Sequence, residues 1–366
     1  MKRVLCIVSG MNTGGAETFL MKLYRNIDRN KYQMDFGVYT DKECFYDAEI
    51  ISLGGNIYHL TPKTKNFKRY KQDLYTLVKE KKFQYVLRIT SNAAGFLDLK
   101  IAHDAGAKVC IARSSNSSDG DSLKVSLIHR VSRMLYGRYV DVKIAPSDLA
   151  ATYTFGKKAV DRGDVKHLHN ALDLDVYSYS KEKRQAIRKE YNIDDGCRVF
   201  GHIGRFSEQK NHKFLINVFV EILNKESNAV LLLVGAGELE SEVRNMVSEY
   251  GIEQKVIFAG VRSDIPDVLS AMDVFIFPSL YEGMPNTIIE AQATGLQCVA
   301  ADTITKQANI TGLVEYLPLN DIAEWANCAL NKVSQQRCNT REIFVRENYE
   351  IKKVAKMFEQ IVFEFE

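Results

Sequence analysis

Two carboxylates stand eight residues apart in the stretch Pro278-Ser279-Leu280-Tyr281-Glu282-Gly283-Met284-Pro285-Asn286-Thr287-Ile288-Ile289-Glu290. An ionised carboxylate only accepts hydrogen bonds, so Glu282 and Glu290 suit hydroxyl-rich neighbours. An apolar run, Val274–Phe277, leads into the stretch, and a helix-like run, Thr287–Ala293, leads out. The polar groups therefore fall at a strand's carboxyl end and a helix's amino end, where open parallel sheets bind ligands. Amide groups at a helix start also favour phosphate. Donors for phosphate beside acceptors for sugar hydroxyls indicate a nucleotide-sugar site. Taken alone, the two carboxylates would equally suit a glycosidase, with one acid and one nucleophile.

Three glycine-bearing loops could share that chemistry. In Gly204-Arg205-Phe206-Ser207-Glu208-Gln209-Lys210-Asn211, Arg205 and Lys210 flank a turn between a strand and a helix. Two cations there can neutralise a diphosphate and stabilise it as a leaving group; solvated surface charge is the plainer reading. Val234-Gly235-Ala236-Gly237-Glu238 begins like a dinucleotide fingerprint, but Glu240 stands where the third glycine belongs. Close backbone approach at Gly235 and a simple turn fit it equally, and Val261 after the next strand would line the same pocket. Ser9-Gly10-Met11-Asn12-Thr13-Gly14-Gly15-Ala16-Glu17 also follows a strand and opens a helix, so Gly14 and Gly15 let backbone approach a ligand. None of the three completes a P-loop or a full dinucleotide motif.

Strands must carry these loops. Val4–Val8, Met34–Val38, Tyr85–Ile89, Val109–Ala112 and Val142–Ala145 read as strands. Helical runs lie at Glu17–Arg25, Tyr70–Lys79, Phe96–Ala105 and Ser122–Tyr136. Alternation of this kind predicts βαβ units and a parallel sheet. It breaks near residue 172, passes a charged helix at Lys181–Glu190, and resumes with Val199–Ile203, Val230–Val234, Lys255–Phe258, Val274–Phe277 and Cys298–Ala300. Two doubly wound α/β domains are expected, 1–172 and 173–349. The last helix, about 350–366, is amphipathic and free to pack on either, the first included.

The 366 residues suffice for two cores. No apolar run approaches the roughly 18–20 residues that span a bilayer. The opening Met1–Gly10 is too short for a signal peptide and reads as the first strand. Seven scattered cysteines without a Cys-x-x-Cys pair argue against a disulfide framework or a zinc site and fit a reducing cytoplasm. The net charge of +3 hides +11 over residues 1–172 and −8 over residues 173–366. The densest basic stretch, Lys63–Lys82, reads either as a solvated helix face or as a peripheral contact with an anionic inner membrane face. No nucleic-acid motif accompanies the charge.

Gly14-Gly15-Ala16-Glu17, Asn170-Ala171-Leu172-Asp173, Gly204-Arg205 with Lys210-Asn211, Gly235-Ala236-Gly237 and Pro278 through Glu290 together resemble the retaining glycosyltransferases of family 4, which have the GT-B fold. That fold would set two Rossmann-like domains about a central cleft. The resemblance implies a hexose-type sugar moved from a nucleotide donor, most simply a UDP-sugar, to a hydroxyl of a glycan or lipid-linked acceptor in cell-surface polysaccharide synthesis. It implies that Arg205 and Lys210 hold the diphosphate, that Glu282 meets the donor sugar and that Glu290 meets the ribose. Gly14, Gly15, Gly204, Gly235, Val261, Gly283, Met284, Pro285, Asn286 and Thr287 would complete the donor site. No metal or other cofactor is implied; Asp173-Leu174-Asp175 has a metal-binding spacing but falls at the domain junction.

The chain departs from the family where imidazoles are frequent. Arg88 and Arg113 stand there instead, with Ser115 in place of a second histidine. Arginine does not serve as a base near neutral pH. The expectation is that Arg88 and Arg113 face the acceptor side, with Asn170, and bind an anionic part of acceptor or donor, such as a lipid phosphate or a sugar carboxylate. An internal ion pair is the alternative. Rival functions are a nucleotide-sugar epimerase or hydrolase of the same fold, a non-catalytic GT-B scaffold and an NAD-dependent oxidoreductase.

Overall fold

The computed structural model describes residues 1–115 and 123–364, with Leu123 described by its backbone alone. The expected helix start at Ser122, the expected helix end at Phe365, and Asn116 lie outside the described residues. The chain forms two units, Met1–Ala171 with Asn348–Glu366, and Leu172–Glu347.

The first unit holds β1 (Lys2–Val8), β2 (Tyr32–Val38), β3 (Ile57–His59), β4 (Tyr85–Thr90), β5 (Val109–Ser114), β6 (Val142–Ala145) and β7 (Val165–His167). Their order in the sheet is β3-β2-β1-β4-β5-β6-β7, and every pairing is parallel. Along β1, Val4, Cys6 and Val8 face one core while Leu5 and Ile7 face the other. Apolar residues at both parities mark a strand covered on both sides. The helix Ile351–Phe363 returns from the far end of the chain to this unit. It buries Ile351, Val354, Ala355, Phe358 and Val362, spaced three and four apart, in the core with Val4 and Phe36. Glu350 caps its start by accepting from the amides of Lys352 and Lys353.

The second unit holds β8 (Arg198–Ile203), β9 (Ala229–Val234), β10 (Val256–Phe258), β11 (Val274–Phe277), β12 (Gln297–Ala301) and β13 (Val314–Leu317). The order is β10-β9-β8-β11-β12-β13, again parallel throughout. Short β3, β7 and β13 are absent from the sequence reading; three or four residues at a sheet edge carry too little periodic signal to stand out. Among the described residues no helix is long and apolar enough to cross a membrane, and all seven cysteines are free.

Beneath the carboxyl end of β8 lies an unusual packing of imidazoles. His212, at the start of helix His212–Lys225, stacks on Phe206 with ring centroids 4.2 Å apart and meets His202 edge-on at 4.9 Å. His202 Nδ1 donates to the Ile276 carbonyl at 2.9 Å. Its Nε2 and both nitrogens of His212 are buried without a hydrogen-bond partner. Burial, with Lys210 adding a smaller repulsion, pulls the His212 pKa from 6.5 down to about 4. Both rings are therefore neutral packing elements near pH 7.

Two stability measurements test this packing. Phe358→Ala should lower the unfolding free energy by about 3–5 kcal/mol in urea titration; a loss under about 1 kcal/mol would contradict the core assigned to the last helix. His212 binds a proton more weakly folded than unfolded, so its share of stability is complete above about pH 6.5 and lost as pH falls toward 4. His212→Phe should flatten that acid limb by about 2–3 kcal/mol. An unchanged pH dependence would refute the assignment.

Candidate functional site

Strand order in the second unit reverses beside β8: β9 and β10 extend one way, β11 to β13 the other. The loops leaving β8 and β11 therefore emerge side by side, uncovered by a crossover helix, at the place where such sheets bind ligands. The two loops are stitched together. Leu280 N–H donates to the Gln209 carbonyl at 2.8 Å, and Gln209 Nε2 to the Tyr281 carbonyl at 2.8 Å. Lys210 Nζ donates to Glu282 Oε1 at 2.6 Å, with the two side chains 16% and 10% exposed. Its ammonium also stands 4.7 Å from the centre of the Phe277 ring. Lys210 and Glu282, expected to hold phosphate and sugar, thus form one half-buried ion pair.

The glycines of this edge have steric reasons to be glycine. A Cβ at Gly235 would stand 2.1 Å from the Gly204 carbonyl oxygen, and Gly235 has φ +137, a region open to glycine. A Cβ at Gly204 would meet His202 Nε2 at 2.8 Å and the Lys210 stem at 3.2 Å. The glycine at 235 is therefore required by the chain's own backbone at Gly204, with or without a ligand. Arg205 lies further out, 73% exposed, with its guanidinium 3.0 Å from Glu238. An exposed pair of that kind is worth little and is easily exchanged for another anion. Val261 is exposed just past β10.

The helix Asn286–Ala293 follows with Pro285 at its N-cap and no side-chain cap. Gly283, Met284, Pro285, Asn286 and Thr287 form the turn from Glu282 into it. Glu290, one turn in, is hydrogen-bonded by the Tyr177 hydroxyl. Burial, and then the neighbouring carboxylate, raises the Tyr177 phenol above its ordinary range, so it remains a donor. Sequence reasoning missed Tyr177 because nothing local marks it; its bond to Glu290 exists only in the folded unit. Gln209 was within reach, since it adjoins Lys210 in the same loop.

In the first unit, order reverses between β1 and β4. Gly14 caps and Gly15 begins the helix Gly15–Asn26. A Cβ on Gly15 would have nothing within 4 Å, so its backbone is open. The two arginines diverge. Arg88 on β4 pairs in register with Ala112, so Arg113 on β5 faces the opposite side of the sheet. Arg88 turns to helix Phe96–Asp104, with Nε 2.8 Å from Asp98 Oδ2. It also donates to the Ile7 carbonyl at 2.8 Å and to the Tyr39 hydroxyl at 3.0 Å. Lys63 reaches the same Asp98 at 2.7 Å. The expectation of a shared anion site for the two arginines is corrected by this register: Arg88 makes the internal ion pair that stood as the alternative.

Arg113 is different. It is 2% exposed, its guanidinium lies 3.6 Å from the centre of the Phe19 ring, and its Nη2 donates to Asn170 Oδ1 at 2.6 Å. No carboxylate among the described residues pairs with it, and its Nε has no partner. Burial alone draws its pKa down to about 9. Arg113 and Asn170 are thus brought together from positions 57 residues apart.

Among the described residues no three His, Cys, Asp or Glu side chains group as metal ligands. Asp173 accepts from the Asp175 amide at 3.0 Å, and Asp175 lies 2.7 Å from Arg341. That is the geometry of a turn tied down by an ion pair.

Residues 197–334 match the family described as glycosyl transferases group 1. The putative glycosyltransferase EpsF of Bacillus subtilis (strain 168) is 34% identical over 331 residues, 89% of this chain and 86% of that protein. The UDP-Gal:alpha-D-GlcNAc-diphosphoundecaprenol alpha-1,3-galactosyltransferase of Escherichia coli is 27% identical over 272 residues, 72% and 70% of the two chains. Among solved structures, that of Anabaena HepE in complex with UDP-glucose superposes with a TM-score of 0.78 over 98% of this chain and 99% of that one, at 19% identity. The likeness to HepE shows that the two parallel-sheet units are those of the GT-B fold. With a relative this similar along nearly its whole length, the chain belongs to the group 1 glycosyltransferases.

Proposed function

We propose that this glycosyltransferase moves a hexose-type sugar from a UDP-sugar to a hydroxyl of a glycan or lipid-linked acceptor in polysaccharide synthesis, with retention and without a metal ion. The Lys210–Glu282 pair at the reversal of strand order carries the reading. The ammonium, with Arg205, meets the diphosphate; the carboxylate meets sugar hydroxyls; Glu290, held by Tyr177, meets the ribose. The turn from Gly283 to Thr287, with Gly204, Gly235 and Val261, completes the donor contacts. Gly15, whose backbone is open, and Gly14, the N-cap before it, present the helix start to phosphate. UDP-linked donors in the name of the Escherichia coli relative and in the HepE complex support the choice of nucleotide.

In the reaction, the bond from the sugar's anomeric carbon to the diphosphate oxygen breaks, and one to the acceptor oxygen forms on the same face. The acceptor proton passes to the departing phosphate. Lys210 and Arg205 balance the charge that develops there, and Glu282 fixes the sugar rather than attacking it. A cytoplasmic location accords with seven free thiols, five of them buried.

The buried charge of Arg113 completes the reading on the acceptor side. A guanidinium held in low dielectric without a carboxylate costs several kcal/mol until an anion joins it. A phosphate or sugar carboxylate of the acceptor supplies that anion, with Asn170 positioning the guanidinium.

Lys210→Ala and Glu282→Ala should each lower kcat with a UDP-sugar by about 10²–10³-fold. UDP should raise the melting temperature of the wild type where NAD does not. Turnover retained in Lys210→Ala would remove Lys210 from the diphosphate site, and stoichiometric epimer or free sugar without acceptor would favour the epimerase or hydrolase. Arg113→Lys should raise the acceptor KM by about tenfold or more while leaving the donor KM within about twofold, because lysine cannot reproduce the planar fork. An unchanged acceptor KM would remove Arg113 from the acceptor site.

A further inference from the structure

The helix Leu123–Tyr136 is folded inside out. Its inward positions include His129 and Ser132, 4% and 8% exposed. Its outward face carries Leu127, Ile128, Val131, Met134 and Leu135, at 64%, 45%, 41%, 77% and 48% exposure. Residues 127, 131, 134 and 135 recur at three and four, with 128 beside them, so they form one stripe. A helix on the surface of a globular protein turns such a stripe inward.

The reversal has a local cause. His129 Nδ1 accepts from the Ala93 amide at 3.0 Å, and its Nε2 donates to the Tyr153 carbonyl at 3.0 Å. The imidazole stacks on the Tyr153 ring at 4.6 Å, and Arg133 donates to the same carbonyl at 3.2 Å. The polar face is satisfied inside, which leaves the apolar stripe in water.

Charge identifies what covers the stripe. From Leu123 to Tyr139 the sequence holds Lys124, Arg130, Arg133 and Arg138 and no carboxylate. Lys124, Arg130 and Arg138 are exposed. A second copy docking through the same face would bring this cationic helix against itself, which like charges oppose. An apolar stripe on a helix whose own charged side chains are all cations fits an anionic lipid surface, which offers acyl chains to one and phosphates to the other.

We propose that Leu123–Tyr136 is the element by which this protein lies on an anionic membrane. It takes the place of Lys63–Lys82, the segment to which charge density alone pointed. There Lys63 is drawn to Asp98, and helix Phe67–Lys81 buries Tyr70, Leu74 and Val78, leaving mainly charge outside. Charge without an apolar stripe supplies one of the two signals that stable surface binding needs. This proposal concerns the first unit alone and does not rest on the identity of the donor.

Sedimentation of the full chain with vesicles tests it. The wild type should pellet with phosphatidylcholine–phosphatidylglycerol vesicles, less so as salt rises, and not with phosphatidylcholine alone. Leu127→Asp with Met134→Asp, and separately Lys124→Glu with Arg130→Glu, should each lower the bound fraction at limiting lipid by at least about tenfold. All four side chains are exposed, so the melting temperature should hold. Lys68→Glu with Lys71→Glu should leave binding within about twofold. The proposal fails if the wild type ignores anionic vesicles or if the Leu127/Met134 variant binds as the wild type does. It fails equally if the wild type sediments as a dimer that this variant dissociates.

Discussion

Lys210 and Glu282 meet because β8 and β11 are neighbours in the sheet without being neighbours in the chain. Right-handed crossovers carry β9 and β10 to one side of β8 and β11 to β13 to the other. Only where the two directions part do adjacent strand ends stay clear of a crossover helix. Two loops 72 residues apart are thereby set edge to edge and joined by one backbone bond, Leu280 to Gln209, and one from the Gln209 side chain to Tyr281. The ion pair they carry is mostly withdrawn from water, so neither partner is tolerable alone. Gly204 lets the Lys210 stem cross close to the backbone, and Gly235 lets the next loop approach from behind. The neutral imidazoles of His202 and His212 fill the space underneath without adding charge.

The first unit shows how much a single carboxylate decides. Arg88 and Arg113 lie on adjacent strands, yet one step of register sends them to opposite faces. Asp98 waits on one face, and Arg88 joins it with Lys63. On the other face Arg113 finds an aromatic ring and the oxygen of Asn170, both weaker compensation than a counter-ion. Residue type alone made the two arginines look equivalent. Their environments make one a cation paired with a carboxylate and the other a buried cation held by a ring and a side-chain amide.

The sequence carries the architecture clearly because parallel strands covered on both faces are continuous apolar runs. Val274-Phe275-Ile276-Phe277 and Val230–Val234 are legible as strands for that reason. Edge strands such as Ile57–His59 escape, being short and half polar. The loops of the site are legible as loops, since glycine and proline punctuate them. Which partners they acquire is not. Tyr177 on Glu290, Asp98 on Arg88 and Gln209 across to Tyr281 are tertiary facts, set by strand order and register rather than by spacing.

Helix Leu123–Tyr136 marks the limit of periodicity as a guide. Its spacing announces an amphipathic helix correctly, and the usual inference that the apolar face turns inward fails. A periodic pattern fixes which residues share a face; which face turns inward depends on what the core offers. Here the core offers an amide at Ala93 and a carbonyl at Tyr153, and His129 satisfies both with its two nitrogens. Losing those bonds inside would cost more than a few partly exposed methyl groups do outside, because a buried unpaired polar group forfeits its full desolvation energy. The apolar stripe is outside as a consequence of polar satisfaction within, and the absence of carboxylates from Leu123 to Tyr139 then makes that exposed face selective for anionic surroundings.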